Sequence, residues 1–317
     1  MARVRALGRR GLVVAVVISL VLVAVVVLAT RGTPQDDNPF AGRDLFVWSG
    51  SGAAAAAAGV DGADAEALAD LAAVPTAVWL TPEAHGTGAV GAFVEDVLDE
   101  ADDRVVVFVV YGIPDRDCVG GESAGGLEPA QYGAWLRQIH DALEGRVAVV
   151  LEPDALATVE ECGDPDERYM LLRDSANLLR DRATVYLDAG HSAWVPAKDM
   201  AERLRRAGVE DVRGFSVNVA NYQSDADELD YAERIREELP DARYVVDSGR
   251  NGAGATDDWC NPPGRVLGSR PAAVDDGSAL DARLWIKPPG ESDGRCHGGP
   301  EAGRFWLDQA VELAGGL

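Results

Sequence analysis

Short runs rich in Val, Ile, Leu and aromatic residues recur along the chain, and most lack the strict alternation of a strand with one wet face. They are Thr76–Leu80, Val105–Tyr111, Val147–Leu151, Thr184–Leu187, Gly214–Val219, Tyr244–Val246 and Leu284–Ile286, with Leu45–Trp48 as a further candidate. Unbroken apolar runs of this length mark strands covered on both faces. Between them the apolar positions take helical spacing, over Val90–Ala101, Pro129–Leu143, Pro165–Arg180, Pro196–Ala207, Asp225–Glu238 and Pro300–Ala314. Prolines at 129, 165, 196 and 300 suit a first helical turn, where the missing N–H costs nothing. Strand then helix, repeated about seven times, predicts a parallel sheet. Closed on itself, that sheet is a distorted, TIM-barrel-like (β/α) barrel of about seven parallel strands. An open doubly wound sheet is the alternative. No G-x-G-x-x-G follows the first strand, so a dinucleotide cofactor has no support.

The N-terminus breaks this pattern. Arg3, Arg5, Arg9 and Arg10 precede an apolar run from Leu12 to Ala29 interrupted only by Ser19. A positive flank and an apolar run read as an export signal, and 18 residues also reach the lower limit for a spanning helix. Residues 1–30 are therefore a signal peptide or signal anchor, 31–37 a polar tether, and 38–317 the folded domain, secreted or held at the outer face of the cytoplasmic membrane. Membrane contact is expected only through residues 12–29.

Composition narrows the partners. The chain has 317 residues and a net charge of −24, with lysine only at Lys198 and Lys287. Nucleic acid, which needs a basic patch, is excluded as a partner; a neutral substrate and a soluble monomer are expected. Four cysteines in an exported domain favour disulfides. They allow three pairings, of which Cys118–Cys162 with Cys260–Cys296 is preferred because each closes a loop within its own segment. With no Cys-x-x-Cys and four histidines, no metal site is expected.

The loops at the carboxyl ends of such strands form the active site, and acid after acid arrives there. The strands are followed by Asp115-Arg116-Asp117-Cys118, Glu152-Pro153-Asp154, Asp188-Ala-Gly-His191, Ala220-Asn221-Tyr222, Asp247-Ser-Gly-Arg250 and Lys287-Pro-Pro-Gly-Glu291-Ser-Asp293. One such acid is usually a helix cap or turn former. Five or six converging acids are an electrostatic cost that favours function. Trp79, Trp194 and Trp259 stand beside strand ends or acidic loops. Flat apolar faces and paired carboxylates suit a carbohydrate site.

These residues resemble glycoside hydrolase family 6, the inverting cellulases, over about 38–317. The resemblance runs through Asn38-Pro-Phe-Ala-Gly, Leu151-Glu-Pro-Asp154-Ala-Leu-Ala, Tyr186-Leu-Asp188-Ala-Gly-His191-Ser-Ala-Trp194, Asn218-Val-Ala-Asn221-Tyr, Trp259-Cys-Asn-Pro and Leu284-Trp-Ile-Lys287-Pro-Pro-Gly-Glu-Ser-Asp293-Gly. It implies endo-hydrolysis of β-1,4-glucosidic bonds in cellulose or a related β-glucan, without cofactor. Asp154 resembles the catalytic acid, Asp117 the carboxylate that raises its pKa and supports the transition state, and Asp293 the proposed base. Ser123 matches a water-positioning serine and Tyr111 a residue that distorts the sugar ring. Trp79, Asp188, His191, Trp194, Asn221, Trp259, Lys287 and Glu291 resemble sugar-binding residues. The family's disulfides agree with the preferred pairing. Gly112 and Gly249 depart from the family pattern. Only Gly294 and Arg295 separate Asp293 from Cys296, and Val119–Leu127 is short. Both imply an open cleft and internal cleavage. A catalytically silent, surface-tethered glucan-binding protein and a hydrolase of another envelope β-glycan are the competing readings.

Overall fold

The computed structural model describes residues 37–315, so the signal or anchor segment and all but the last residue of the tether lie outside the described residues. Among the described residues no helix is long and apolar enough to cross a membrane. The body from Pro39 onward begins with α1 (Gly52–Ala57) and α2 (Ala63–Ala72). Strand and helix then alternate: β1 (Val78–Leu80), α3 (Val90–Ala101), β2 (Val106–Val110), α4 (Pro129–Ala142), β3 (Val147–Leu151), α5 (Pro165–Leu179), β4 (Thr184–Asp188), α6 (Ala197–Arg206), β5 (Gly214–Val217), α7 (Asp225–Arg236) and β6 (Arg243–Asp247). A two-residue β7 (Ala272–Ala273), β8 (Leu280–Leu284) and α8 (Leu307–Ala314) complete it.

The sheet order is β1-β2-β3-β4-β5-β6-β8-β7, parallel throughout except for β7. The sheet curls without closing its ladder. β8 is paired with β7 on its far side, and the β1–β8 seam is spanned by one main-chain bond, Ala77 N–H to Trp285 O at 3.0 Å. The Trp79 indole N–H, bonded to Ile286 O at 2.8 Å, is a second stitch.

Alternate residues of each strand face two separate apolar clusters, which is why the sequence shows no alternation. In β2, Val106, Phe108 and Val110 pack outward under the helices, while Val107 and Val109 fill the interior with Val150, Tyr186 and Val245. A third cluster joins α1, α2 and α8 through Leu68, Leu71, Trp285 and Leu313.

Several elements differ from the sequence reading. The last parallel strand is Leu280–Leu284, not Leu284–Ile286. Its charges disguised it: Asp281 pairs with Arg213 at 2.7 Å and Arg283 with Asp225 at 3.0 Å, so both are neutralised within the fold. The last helix starts at Leu307 rather than Pro300, because Phe305 bridges to Glu291 and Trp306 N–H binds Gly290 O at 2.7 Å. The alanine-rich α1 and α2 present too little apolar contrast to show helical periodicity; Ser51 starts α1 by accepting the Ala54 N–H at 3.2 Å.

Candidate active site

The strand ends carry an unusual backbone. Asp115, Asp117, Glu152, Asp154, Asn218 and Ala220 all have positive φ, between 52° and 67°. Each is sterically costly for a residue with a Cβ, of order 1–3 kcal/mol, and such strain persists where the surroundings over-determine it. The surroundings here are three buried carboxylates that staple neighbouring loops.

Glu152 accepts N–H groups of Gly112 and Ile113 at 3.0 Å, and the Tyr132 hydroxyl at 3.0 Å. Asp188 accepts the N–H of Asp154 at 2.9 Å, that of Gly190 at 3.0 Å and the Ser216 hydroxyl at 3.0 Å. Asp247 accepts N–H groups of Ala220, Gly249, Ile286 and Lys287 at 2.9–3.2 Å. Each therefore joins its own strand end to adjacent loops. Part of the convergence of acids is thus scaffolding. Burial raises the pKa of Glu152 to about 7 and that of Asp188 to about 6, with the accepted hydrogen bonds opposing the rise.

Asp154 rests on this frame. Its carbonyl oxygen accepts the N–H of Thr158 at 3.0 Å and its hydroxyl at 2.9 Å. Its Oδ1 is buried and has no hydrogen-bond partner among the described residues. Burial first, then the negative charges of Asp117 and Asp188, push its carboxyl well above the usual range. Asp117 accepts the Tyr111 hydroxyl. Burial raises its pKa, and Tyr111, Arg116 and Arg168 hold the rise back. Tyr111 is clamped between Trp79, edge-on at 5.2 Å, and Arg116, whose guanidinium lies 4.4 Å from its ring centre. Tyr111, Asp117, Asp154 and Asp188 thus form one connected group.

Asp293 stands in a different environment. Its two oxygens meet the Arg250 guanidinium at 3.0 and 2.9 Å, and Oδ2 also accepts the Tyr222 hydroxyl at 2.8 Å and the Asn261 N–H at 3.1 Å. Arg250 and Asp293 are both buried. Four donors thus occupy this one carboxylate, and they fix its position in the loop.

The remaining candidates fall around these groups. Lys287 lies with its ammonium 5.3 Å from the Trp79 ring and 3.9 Å from Glu291, whose pKa burial raises. His191 sits 5.5 Å from Trp194, and burial lowers its pKa to about 4, so it is neutral over the ordinary working range. Trp194 and Trp259 are 41% and 52% exposed, a wasteful arrangement for large apolar rings unless something stacks on them. Asn221 spends its amide on Val219 O at 3.1 Å within its own loop. Ser123 is held by its carbonyl, which accepts Arg116 Nε at 2.9 Å. Cys118–Cys162 and Cys260–Cys296 are bonded and anchor the loops next to Asp117 and Trp259. No cluster of three or more metal-ligating side chains occurs among the described residues.

Sequence reasoning passed over Glu152, Asp247, Arg250, Tyr222 and Asn261 as site residues. Arg250 carried a signal, since a lone cation in an acidic strand-end loop needs a partner. Tyr222 and Asn261 carried none, because their role depends on where Asp293 falls in space.

A family model described as "Glycosyl hydrolases family 6" matches residues 41–316. Endoglucanase A of Cellulomonas fimi is 42% identical over 256 residues, covering 80% of this chain and 57% of that protein. Endoglucanase 1 of Streptomyces halstedii is 38% identical over 271 residues, covering 80% and 82%. The chain thus spans little more than half the length of the first of these relatives. The solved endoglucanase Cel6 of Mycobacterium tuberculosis, in complex with a thio-linked cellobiosyl cellobioside, superposes with a TM-score of 0.82 at 39% identity, covering 88% of this chain and 99% of that one.

Proposed function

Since the chain belongs to glycosyl hydrolase family 6, we propose that it is an endo-β-1,4-glucanase that hydrolyses cellulose or a related β-glucan with inversion, outside the cell. The observation that carries this reading is the carboxyl of Asp154. It is partly buried, holds a raised pKa, keeps its buried Oδ1 unpartnered and feels the charge of a second carboxylate, Asp117. That is the state a general acid needs before it protonates a glycosidic oxygen.

In this reading Asp154 donates its proton to the leaving sugar. The bond to the anomeric carbon breaks, and water attacks from the opposite face. Asp117 supplies the neighbouring negative charge. Its bond with Tyr111 fixes it beneath the reacting ring, and Tyr111 lends an apolar face against which the ring distorts. Both oxygens of Asp293 are bonded, to Arg250, Tyr222 and Asn261, and turned to the loops that carry them. We assign the attacking water's proton to Asp117, through a water held by Ser123, and give Asp293 the task of fixing the loop. Trp79, Trp194 and Trp259 stack on sugar rings, while His191, Lys287 and Glu291 meet hydroxyls. Asp188 acts from behind, on the main chain of Asp154.

The pH dependence follows with a definite sign. Asp154 must be protonated, so activity falls as pH rises through its raised pKa. Asp117→Asn removes a negative neighbour and lowers that pKa. The alkaline limb of kcat/KM is then expected to move to lower pH, alongside a loss of overall rate. An unmoved or upward-moved limb in a pH–rate series would remove Asp117 from this role.

The reading as a whole is tested by proton NMR of the protein acting on cellohexaose from the first minutes. Early α-anomeric products from internal bonds are expected. Early β-anomers would refute inversion. Absence of turnover on cellohexaose and on soluble β-glucans would refute the enzyme and leave a glucan-binding protein.

A further inference from the structure

The loop after β2, which carries Asp117 and Ser123, and the loop after β8, which carries Asp293, meet at Glu122. Glu122 reaches across, and its Oε2 accepts the Arg295 N–H at 3.2 Å. Its stem lies flat against Gly294: a Cβ built there would stand 2.2 Å from Glu122 Cγ and 2.3 Å from its Cβ. Gly294 also has φ +152°, so two independent features demand glycine opposite Glu122. The rest of each loop is tied down close by, through Cys118–Cys162 and Cys260–Cys296. Between those anchors, Arg116 holds the loop after β2 from behind, by its main-chain bonds with Gly125 and its side-chain bond to Ser123 O.

We propose that Glu122 is a positioning residue for hydrolysis: its clasp on Gly294 and Arg295 sets Ser123 beside Asp117 and holds the two short loops together during turnover. The inference rests on the hydrolase reading above. Glu122 is exposed, so its carboxylate could stay in water, yet it lies on the neighbouring loop. A single carboxylate on one N–H is also weak enough to part and re-form, as a site that must admit and release a polymer requires. The residue after it is Ser123, so a change in the clasp is transmitted directly to the serine assigned to the attacking water.

The test compares Glu122→Ala and Glu122→Gln with the unaltered protein on cellohexaose. Glu122→Ala should lower kcat by about ten-fold, a modest instance of the loss that small displacements of a reacting group cause, with KM changed less than kcat. Glu122→Gln keeps an oxygen for the Arg295 N–H and should recover most of the rate. Amide hydrogen exchange over 119–126 should quicken in Glu122→Ala and stay near normal in Glu122→Gln, and this readout needs no activity. The melting temperature should be unchanged in both. Full kcat in Glu122→Ala, or equal loss in the two variants, would overturn the clasp. An unaltered protein with no turnover would instead defeat the hydrolase reading, and exchange alone would then decide the contact.

Discussion

Asp154→Ala is expected to lower kcat on cello-oligosaccharides by roughly 10²- to 10⁴-fold, the usual worth of a positioned general acid. The loss should shrink sharply on aryl cellobiosides whose leaving phenol needs no proton. The contrast between the two substrates carries the argument. Removing the acid raises only the barrier of leaving groups that must be protonated, whereas general damage to the site slows both. Asp154 is well placed for so clean a result, because its side chain takes no part in a hydrogen bond that supports the fold; its support comes through its main chain, from Asp188 and Thr158. Steady-state rates on both substrates, with a melting curve to confirm folding, are sufficient. Equal loss on both would take the acid role away from Asp154.

The second large effect is on stability. Arg250→Met strips Asp293 of its ion pair in a buried place. Breaking such a pair by removing one partner typically costs about 3–5 kcal/mol, because the remaining charge is stranded. At about 2–4 °C per kcal/mol for a domain of this size, the melting temperature should fall by roughly 6–20 °C. Adding Asp293→Leu should restore part of the loss, since the stranded charge is then gone. It should not restore all of it, since Tyr222 and Asn261 lose an acceptor. Calorimetry of the single and double variants decides the matter. A fall of less than about 1 kcal/mol in Arg250→Met would show that water replaces the guanidinium, against the burial described above.

The parallel sheet was legible because strands buried on both faces must be apolar throughout, and those runs sit in the chain without disguise. β8 was displaced in the reading for the same reason inverted. Asp281 and Arg283 look like surface residues until Arg213 and Asp225 are brought against them from sixty or so positions away. The acids at strand ends were also legible, but their division of labour was not. Glu152 and Asp154 are two residues apart, yet one is consumed by main-chain N–H groups and the other left unpartnered. Which of two neighbouring acids is spent on structure depends on loops from other strands, and that information is spread along the chain. Asp293 makes the same point. Its motif marked it as a possible base, while Arg250, Tyr222 and Asn261, each far from it in sequence, decide what its oxygens are bonded to.

The seam between β1 and β8 gives the curled sheet a soft direction. Every other neighbouring pair is held by a ladder, whereas here one main-chain bond and one indole do the work. Regions with few cooperative bonds open at the lowest free energy, so small elastic deformations of the whole body collect along this line. Trp79 stands on one bank of it and Lys287 on the other. The 5.3 Å contact between them is therefore a compliant quantity. A slight change in the curl of the sheet thus alters the spacing between an aromatic face and a cation.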